Sequence, residues 1–299
     1  MCRWLAYSGD PILLEDVLFK PKHSLIDQSM SSRSAETPTN GDGFGVGWYG
    51  SRPLPGLFRS IRPAWNDFNL RDLAAQIEAR VFLAHVRATS LATVQETNCH
   101  PFRFGKWLFV HNGEVHGIEL FRKRLIAAVS DDLFPQILGT TDSEVMFYLC
   151  LTLGLESDPA GAIARMAGFV ESVGRSEGVR ESLWMTVAVT DGSALHAVRY
   201  ATDGDAPSLY HSRDMEEVFE ALPDLRGKLA PSARFVASEP MGRAREVWVD
   251  VPQGAYLRIE GSDLAIQPFA PQAPWEALAS RAGTAADMPP TMSGSKDRT

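Results

Sequence analysis

Basic residues are few and scattered in this chain, and their scarcity excludes a broad class of partner. Lys and Arg number 29 against 37 Asp and Glu over 299 residues, a formal charge of −8. No Lys/Arg cluster forms the basic face that phosphate binding needs, so nucleic acid is not an expected partner. Cysteine is rarer still: Cys2, Cys99 and Cys150 are an odd set without paired spacing. That usage excludes a disulfide framework and fits free thiols in a reducing compartment, so the expected location is cytoplasmic. Long apolar runs are lacking too. None reaches the roughly 20 residues of a membrane-spanning helix, and Asp10, Glu15 and Asp16 interrupt the stretch where a secretory leader would be apolar. No membrane partner is expected. What remains, 44% hydrophobic residues, suffices for a buried core in one large domain or two small ones.

The order of periodicities is informative. Cys2 to Tyr7 reads as a short apolar strand, Met30 to Asn40 as a Ser-rich loop, and Gly43 to Tyr49 as a strand alternating small and large residues. Leu70, Leu73 and Ile77 fit one helical face. Strands are then expected at Val81 to Arg87 and at Trp107 to His111, each delivering polar residues at its C-terminal end. Helices follow at Glu119 to Val129, from Thr141-Asp142-Ser143-Glu144 onward, and at Pro159 to Gly174, the second opening on a capping-box pattern. The remainder is mostly β: Leu183 to Thr190, Ala194 to Tyr200, Arg234 to Ser238, Val247 to Val251, Ala255 to Ile259 and Leu264 to Phe269. Strands, then helices, then strands predict a layered α+β sandwich over residues 2–270. The Pro-, Ala-, Ser- and Thr-rich tail, 271–299, is expected to be disordered.

Chemistry enters at position 2. Removal of Met1, which the small Cys2 permits, would leave a thiol and a free α-amine on one residue, a nucleophile with its own base. Arg87, in His85-Val86-Arg87-Ala88-Thr89-Ser90, ends a strand with a planar fork suited to a carboxylate, with hydroxyls beside it. His111-Asn112-Gly113 can aim one side-chain and one backbone N–H at a developing oxyanion, although Asn-Gly is equally the commonest tight hairpin turn. Asp142 falls in the first turn of its helix, where the dipole favours a carboxylate; the functional alternative is a substrate ammonium.

In order along the chain, Met1-Cys2, Asn40-Gly41-Asp42-Gly43-Phe44-Gly45, His85-Val86-Arg87, Asn98-Cys99-His100-Pro101-Phe102, His111-Asn112-Gly113 and Thr141-Asp142-Ser143-Glu144 resemble the motif series of the class II, N-terminal-nucleophile glutamine amidotransferases. The likeness spans about residues 2 to 260 and is nearest the stand-alone bacterial type, including γ-glutamyl amidohydrolases of ergothioneine synthesis, whose late motif Ala237-Ser238-Glu239-Pro240 resembles.

The resemblance implies a four-layer αββα sandwich of the Ntn-hydrolase type, glutamine or a γ-glutamyl amide as substrate, and no metal or organic cofactor. It implies Cys2 as nucleophile, Asn112 and Gly113 as the oxyanion donors, Arg87 on the substrate α-carboxylate and Asp142 on its α-ammonium. Thr89 or Ser90 would supply the neighbouring hydroxyl, and the segment Ala88 to Glu96 would form the lid. The chain leaves no room after this domain for a synthase. Ammonia therefore passes to a separate accepting protein, or the reaction ends at free acid and ammonia. Two readings from other classes stand beside it. Cys99, His100, His111 and His116 are residue types that suit zinc, without a short Cys-x-x-Cys pair. A non-catalytic glutamine sensor would keep Arg87 and Asp142 and use no chemistry.

Overall fold

Alternation along the first strand decides the layering. The computed structural model describes residues 2–31, 39–88, 93–242 and 244–273, and its first element is β1 (Arg3–Leu13). Trp4 and Ala6 of β1 join one apolar cluster, Leu5 and Tyr7 another. Because successive side chains of a strand point to opposite faces, β1 is apolar on both and has to be covered twice. One cover is helical, the other a second sheet.

In chain order the elements after β1 are α1 (Leu14–Leu18), α2 (Leu25–Met30), β2 (Phe44–Tyr49), β3 (Gly56–Ser60), α3 (Phe68–Ala74), β4 (Glu78–Val86), β5 (Phe102–Phe104) and β6 (Trp107–Val115). Then come α4 (Ile118–Ala127), α5 (Asp142–Thr152), α6 (Pro159–Ser176), β7 (Leu183–Thr190), β8 (Ala194–Ala201), β9 (Tyr210–Ser212), α7 (Met215–Ala221), β10 (Arg234–Ala237), β11 (Trp248–Asp250), β12 (Ala255–Glu260) and β13 (Asp263–Pro268). The strands form two sheets, ordered β11-β9-β10-β1-β4-β2-β3 and β13-β12-β8-β7-β6-β5, and every strand pairing within them is antiparallel.

Three cores separate four layers. Trp4, Leu83, Leu108, Val110, Ala197 and Leu257 fill the space between the sheets. Outside the first sheet, Leu14, Leu25, Leu70 and Phe219 bring α1, α2, α3 and α7 onto Leu5, Phe82 and Phe235. Outside the second, Phe121, Met146, Phe147 and Val170 bring α4, α5 and α6 onto Phe109, Met185 and Val187. The architecture is thus the αββα sandwich expected. No helix among the described residues is long and apolar enough to cross a membrane.

Several local expectations need correction. The strand expected to stop at His111 continues to Val115, because Asn112 and Gly113 sit opposite Thr186 and Met185 of β7. Asn-Gly is therefore inside a ladder and makes no turn. The first strand also runs past Tyr7 to Leu13, pairing with β4 through an irregularity between Ser8 and Ile12. The helix drawn through Leu70, Leu73 and Ile77 ends at Ala74, with Leu73 exposed and Ile77 beyond it. Residues 274–299, and 32–38 of the Ser-rich loop, lie outside the described residues.

Candidate active site

Strand parity gathers the expected site residues at one end of the inter-sheet space. Leu108 and Val110 of β6 face inward, so Asn112 does too; Val81 and Leu83 of β4 face inward, and His85 and then Arg87 continue that row. Cys2, two residues before Trp4, stands on the same face of β1. Two sheets thus deliver the thiol, guanidinium and amide to a common polar end above an apolar floor.

The Cys2 thiol is half-buried and donates to the Ala88 carbonyl at 3.4 Å. Burial pushes its pKa up, the nearby Arg87 cation pulls it down, and the Asp142 carboxylate pushes it up, so both charges act on this sulfur. The residue is held from behind. Arg3 Nη1 donates to the Cys2 carbonyl at 2.9 Å, and Arg3 Nε pairs with Glu239 Oε2 at 3.1 Å. Glu239 Oε1 meets His23 Nε2 at 2.6 Å. Burial alone would raise the Glu239 pKa, but the hydrogen bonds from His23 and Arg3 bring it down to about 2.

Arg87 is a buried cation facing carbonyls. Its Nη1 and Nη2 donate to the Asp42 and Thr93 carbonyls, both at 3.4 Å, and among the described residues no carboxylate forms an ion pair with it. Its backbone N–H donates to the Gly43 carbonyl at 2.8 Å and its carbonyl accepts from the Asp42 N–H at 3.1 Å. Gly43 has φ 117°, and a β-carbon there would stand 2.6 Å from Cys99 Sγ, so glycine is required where this turn meets the Arg87 strand.

Asp142 is the first residue of α5, behind the N-cap Thr141, whose hydroxyl accepts from the Glu144 N–H at 3.2 Å. One Asp142 oxygen accepts from the Val115 N–H at 2.8 Å; the other accepts from the Ser143 N–H at 2.7 Å and from its hydroxyl at 3.1 Å. The carboxylate thereby fastens the helix start to the end of β6. Asn98 fastens the rest of the rim: its amide donates to the Thr93 carbonyl at 2.8 Å and to the Thr140 hydroxyl at 3.0 Å, and its oxygen accepts from the Thr140 N–H at 2.8 Å. The carbonyl that Arg87 touches and Thr140, the residue before the cap of the Asp142 helix, are therefore coupled through one side chain.

Asn112 is buried, and its side-chain amide makes no hydrogen bond to the described residues. Next to it, Gly113 has φ 148°, and a β-carbon there would run into the Trp184 carbonyl oxygen. Three imidazoles, His85 and two of the candidate zinc ligands, His100 and His111, are buried close by. His85 and His100 stack with centroids 4.2 Å apart, and His111 Nδ1 lies 2.8 Å from the Ser143 hydroxyl on the helix side of the sheet. Burial and the Arg87 charge hold His85 down at about 3, and burial next to His85 and His111 holds His100 well below the usual imidazole range. The zinc reading does not survive this arrangement. His116 is exposed against the Glu181 carbonyl, and no group of three His, Cys, Asp or Glu among the described residues is placed to hold a metal ion. Thr89 and Ser90 lie outside the described residues, as do residues 91–92 of the expected lid.

Two facing antiparallel sheets between helical layers, with a thiol just before the first strand at the polar end of the space between them, define the Ntn type of hydrolase sandwich. Comparison with known proteins gives the family. Residues 16–200 match the model of the class-II glutamine amidotransferases. A probable glutamine amidotransferase of Saccharomyces cerevisiae, DUG3, is 34% identical over 90% of this chain and 84% of its own length. The γ-glutamyl-hercynylcysteine sulfoxide hydrolase of Mycolicibacterium smegmatis is 28% identical, over 90% of this chain and 100% of its own. Among solved structures, a glutamine aminotransferase class-II domain protein of Silicibacter pomeroyi superposes with a TM-score of 0.70 at 36% identity, covering 91% of this chain and 100% of that one. The glutamine phosphoribosylpyrophosphate amidotransferase of B. subtilis shares the fold, with a TM-score of 0.62 at 13% identity over 91% of this chain and 50% of that one. The chain belongs to the class-II glutamine amidotransferases.

Proposed function

We propose that this chain cleaves the side-chain amide of glutamine or of a γ-glutamyl amide through a Cys2 thioester. The observation that carries the reading is Arg87: a buried guanidinium whose side-chain hydrogen bonds to the described residues go to two carbonyls, and whose charge acts on the Cys2 thiol together with that of Asp142. A buried cation that no carboxylate among the described residues pairs with is costly, and a substrate α-carboxylate would relieve that cost. Asp142 would take the α-ammonium on the lone pair its three backbone and hydroxyl partners leave. The glutamyl head group is then fixed at both charges with its side-chain amide directed at the thiol.

With Met1 removed, the Cys2 α-amine accepts the thiol proton as sulfur attacks the amide carbon. Oxygen becomes an oxyanion held by the Asn112 amide and the Gly113 N–H, donors fixed in advance by strand pairing. Collapse breaks the C–N bond, and the α-amine returns the proton to the departing ammonia or amine. Water then attacks the thioester by the same route, releasing glutamate and the thiol. A separate ammonia-accepting protein is one destination for the product; free acid and ammonia are the other.

The test is intact mass before and after a glutamine-shaped diazo-ketone, together with turnover of Cys2→Ser. The expected result is a mass lacking Met1, one adduct on Cys2, and a loss of about a thousandfold or more in kcat with Tm unchanged. Retained Met1 with no adduct, while glutamine still raises Tm, would make the protein a binder without chemistry.

A further inference from the structure

Resting on the proposed roles of Cys2 and Asn112, we infer that Thr186 is a positioning residue that sets the nucleophile strand against the oxyanion donors. These groups belong to different sheets: Cys2 precedes β1 in the first, Asn112 lies in β6 of the second. Reaction requires their spacing to be held to a fraction of an ångström, and apolar packing between sheet faces is non-directional. A polar tie between the sheets is needed.

Thr186 makes that tie. The Trp4 indole N–H donates to Thr186 Oγ1 at 3.1 Å, and the Thr186 hydroxyl donates to the Asn112 carbonyl at 3.4 Å. One of its lone pairs and its one proton are thus committed, the first to the strand of the nucleophile, the second to the residue beside Gly113. Trp4 is itself fixed: its N–H donates to Ser238 Oγ at 3.1 Å, and its carbonyl accepts from the Ser238 N–H at 3.0 Å. Trp4 and Thr186 are fully buried and Asn112 nearly so, which keeps water from substituting for either bond. Thr186 pairs directly opposite Asn112 in the β6–β7 ladder, so its hydroxyl stands on the face from which the Asn112 amide projects. The second contact is long for a hydroxyl bond, so its role is to hold an orientation more than to add stability.

The experiment measures kcat and KM for glutamine hydrolysis in the wild-type chain, Thr186→Val and Thr186→Ser. Valine keeps the shape and removes the hydroxyl. It is expected to lower kcat about ten- to a hundredfold with KM within about twofold, because Arg87 and Asp142 are untouched, while serine holds kcat within about threefold. Trp4→Phe cuts the same tie from the other end and is expected to lower kcat in the same way, with the double variant no worse than the poorer single one. That second variant also serves if Thr186→Val does not fold. Wild-type kcat in both variants, a loss confined to KM, or equal losses in valine and serine would overturn the inference while Cys2-dependent turnover leaves the proposed function standing. Absence of turnover and of a Cys2 adduct in the wild-type chain would overturn both.

Discussion

At the scale of single residues, the molecule's most consequential decision is to bury Arg87 with no ion-paired acid among the described residues. The ion pairs nearby are differently disposed. Arg3 and Glu239 neutralise one another behind Cys2, so they position the thiol and leave no charge to offer a substrate. Arg87 spends its donors on two carbonyls at 3.4 Å, contacts too long to satisfy a guanidinium fully. Replacement by lysine tests the distinction. An ammonium keeps the charge but loses the planar fork, so Arg87→Lys is expected to raise KM for glutamine about ten- to a hundredfold while kcat changes by less than about threefold. Steady-state kinetics decide it. An unchanged KM would move carboxylate recognition elsewhere, and a fall in kcat alone would give Arg87 a part in the bond-breaking step.

At the scale of elements, the site depends on how strands and one helix begin and end. α5 starts at Asp142 only because Thr141 caps it, and loss of a threonine cap costs about 1 kcal/mol. Thr141→Ala is accordingly expected to lower stability by about that amount in urea unfolding and to raise KM for glutamine severalfold, since Asp142 occupies the turn the cap organises. Thr141→Ser should restore both; restoration of stability without KM would separate the cap from Asp142. This helix start was legible in the sequence, because Thr-x-x-Glu is a local pattern, but only the Thr141 half of the expected capping box forms: the Glu144 carboxylate accepts from the Leu138 and Gly139 N–H groups instead. So were the long strands, whose alternation or apolar content is local too. The short elements α1, α2, β3 and α7 were not, being shorter than the window in which a period shows. The Asn112-Gly113 pair was ambiguous for a different reason: the same dipeptide makes a turn or occupies a ladder according to what lies opposite, and its partner, β7, is about seventy residues away. Thr186 and the stacking of His85 on His100 escaped for the same reason, although one hydroxyl inside the run Met185-Thr186-Val187-Ala188-Val189 is the kind of exception that marks a buried polar tie.

At the scale of the whole molecule, the polar end of the sandwich is bought with acid sensitivity. His85 and His100 are stacked and buried, with burial the main cause keeping both neutral, and His85 also lies near Arg87 and His111. An imidazole that titrates at 6.5 when unfolded and at about 3 when folded binds its proton first in the unfolded chain. Its contribution to stability is therefore complete above pH 6.5 and is lost as pH falls toward 3, at about 1.4 kcal/mol per pH unit for each such group. Glu239 adds a loss of the same sign at lower pH, between its ordinary value of 4.5 and its folded value of about 2. Stability should thus begin to decline near pH 6.5, well above the range in which carboxylates alone would act. Urea midpoints at pH 8, 6.5, 5.5 and 4.5 measure this. The wild-type chain is expected to hold its midpoint from pH 8 to 6.5 and then to fall steadily. His111, His196 and His211 are held low by burial as well and add to the same decline. His100→Phe keeps an aromatic ring on His85 and removes one of these imidazole protons taken up on unfolding, so the slope between pH 6.5 and 4.5 should become shallower by about one proton. A flat wild-type profile over that interval, or an unchanged slope in His100→Phe, would mean that the imidazoles accept protons within the folded sandwich, with water reaching the polar end between the sheets.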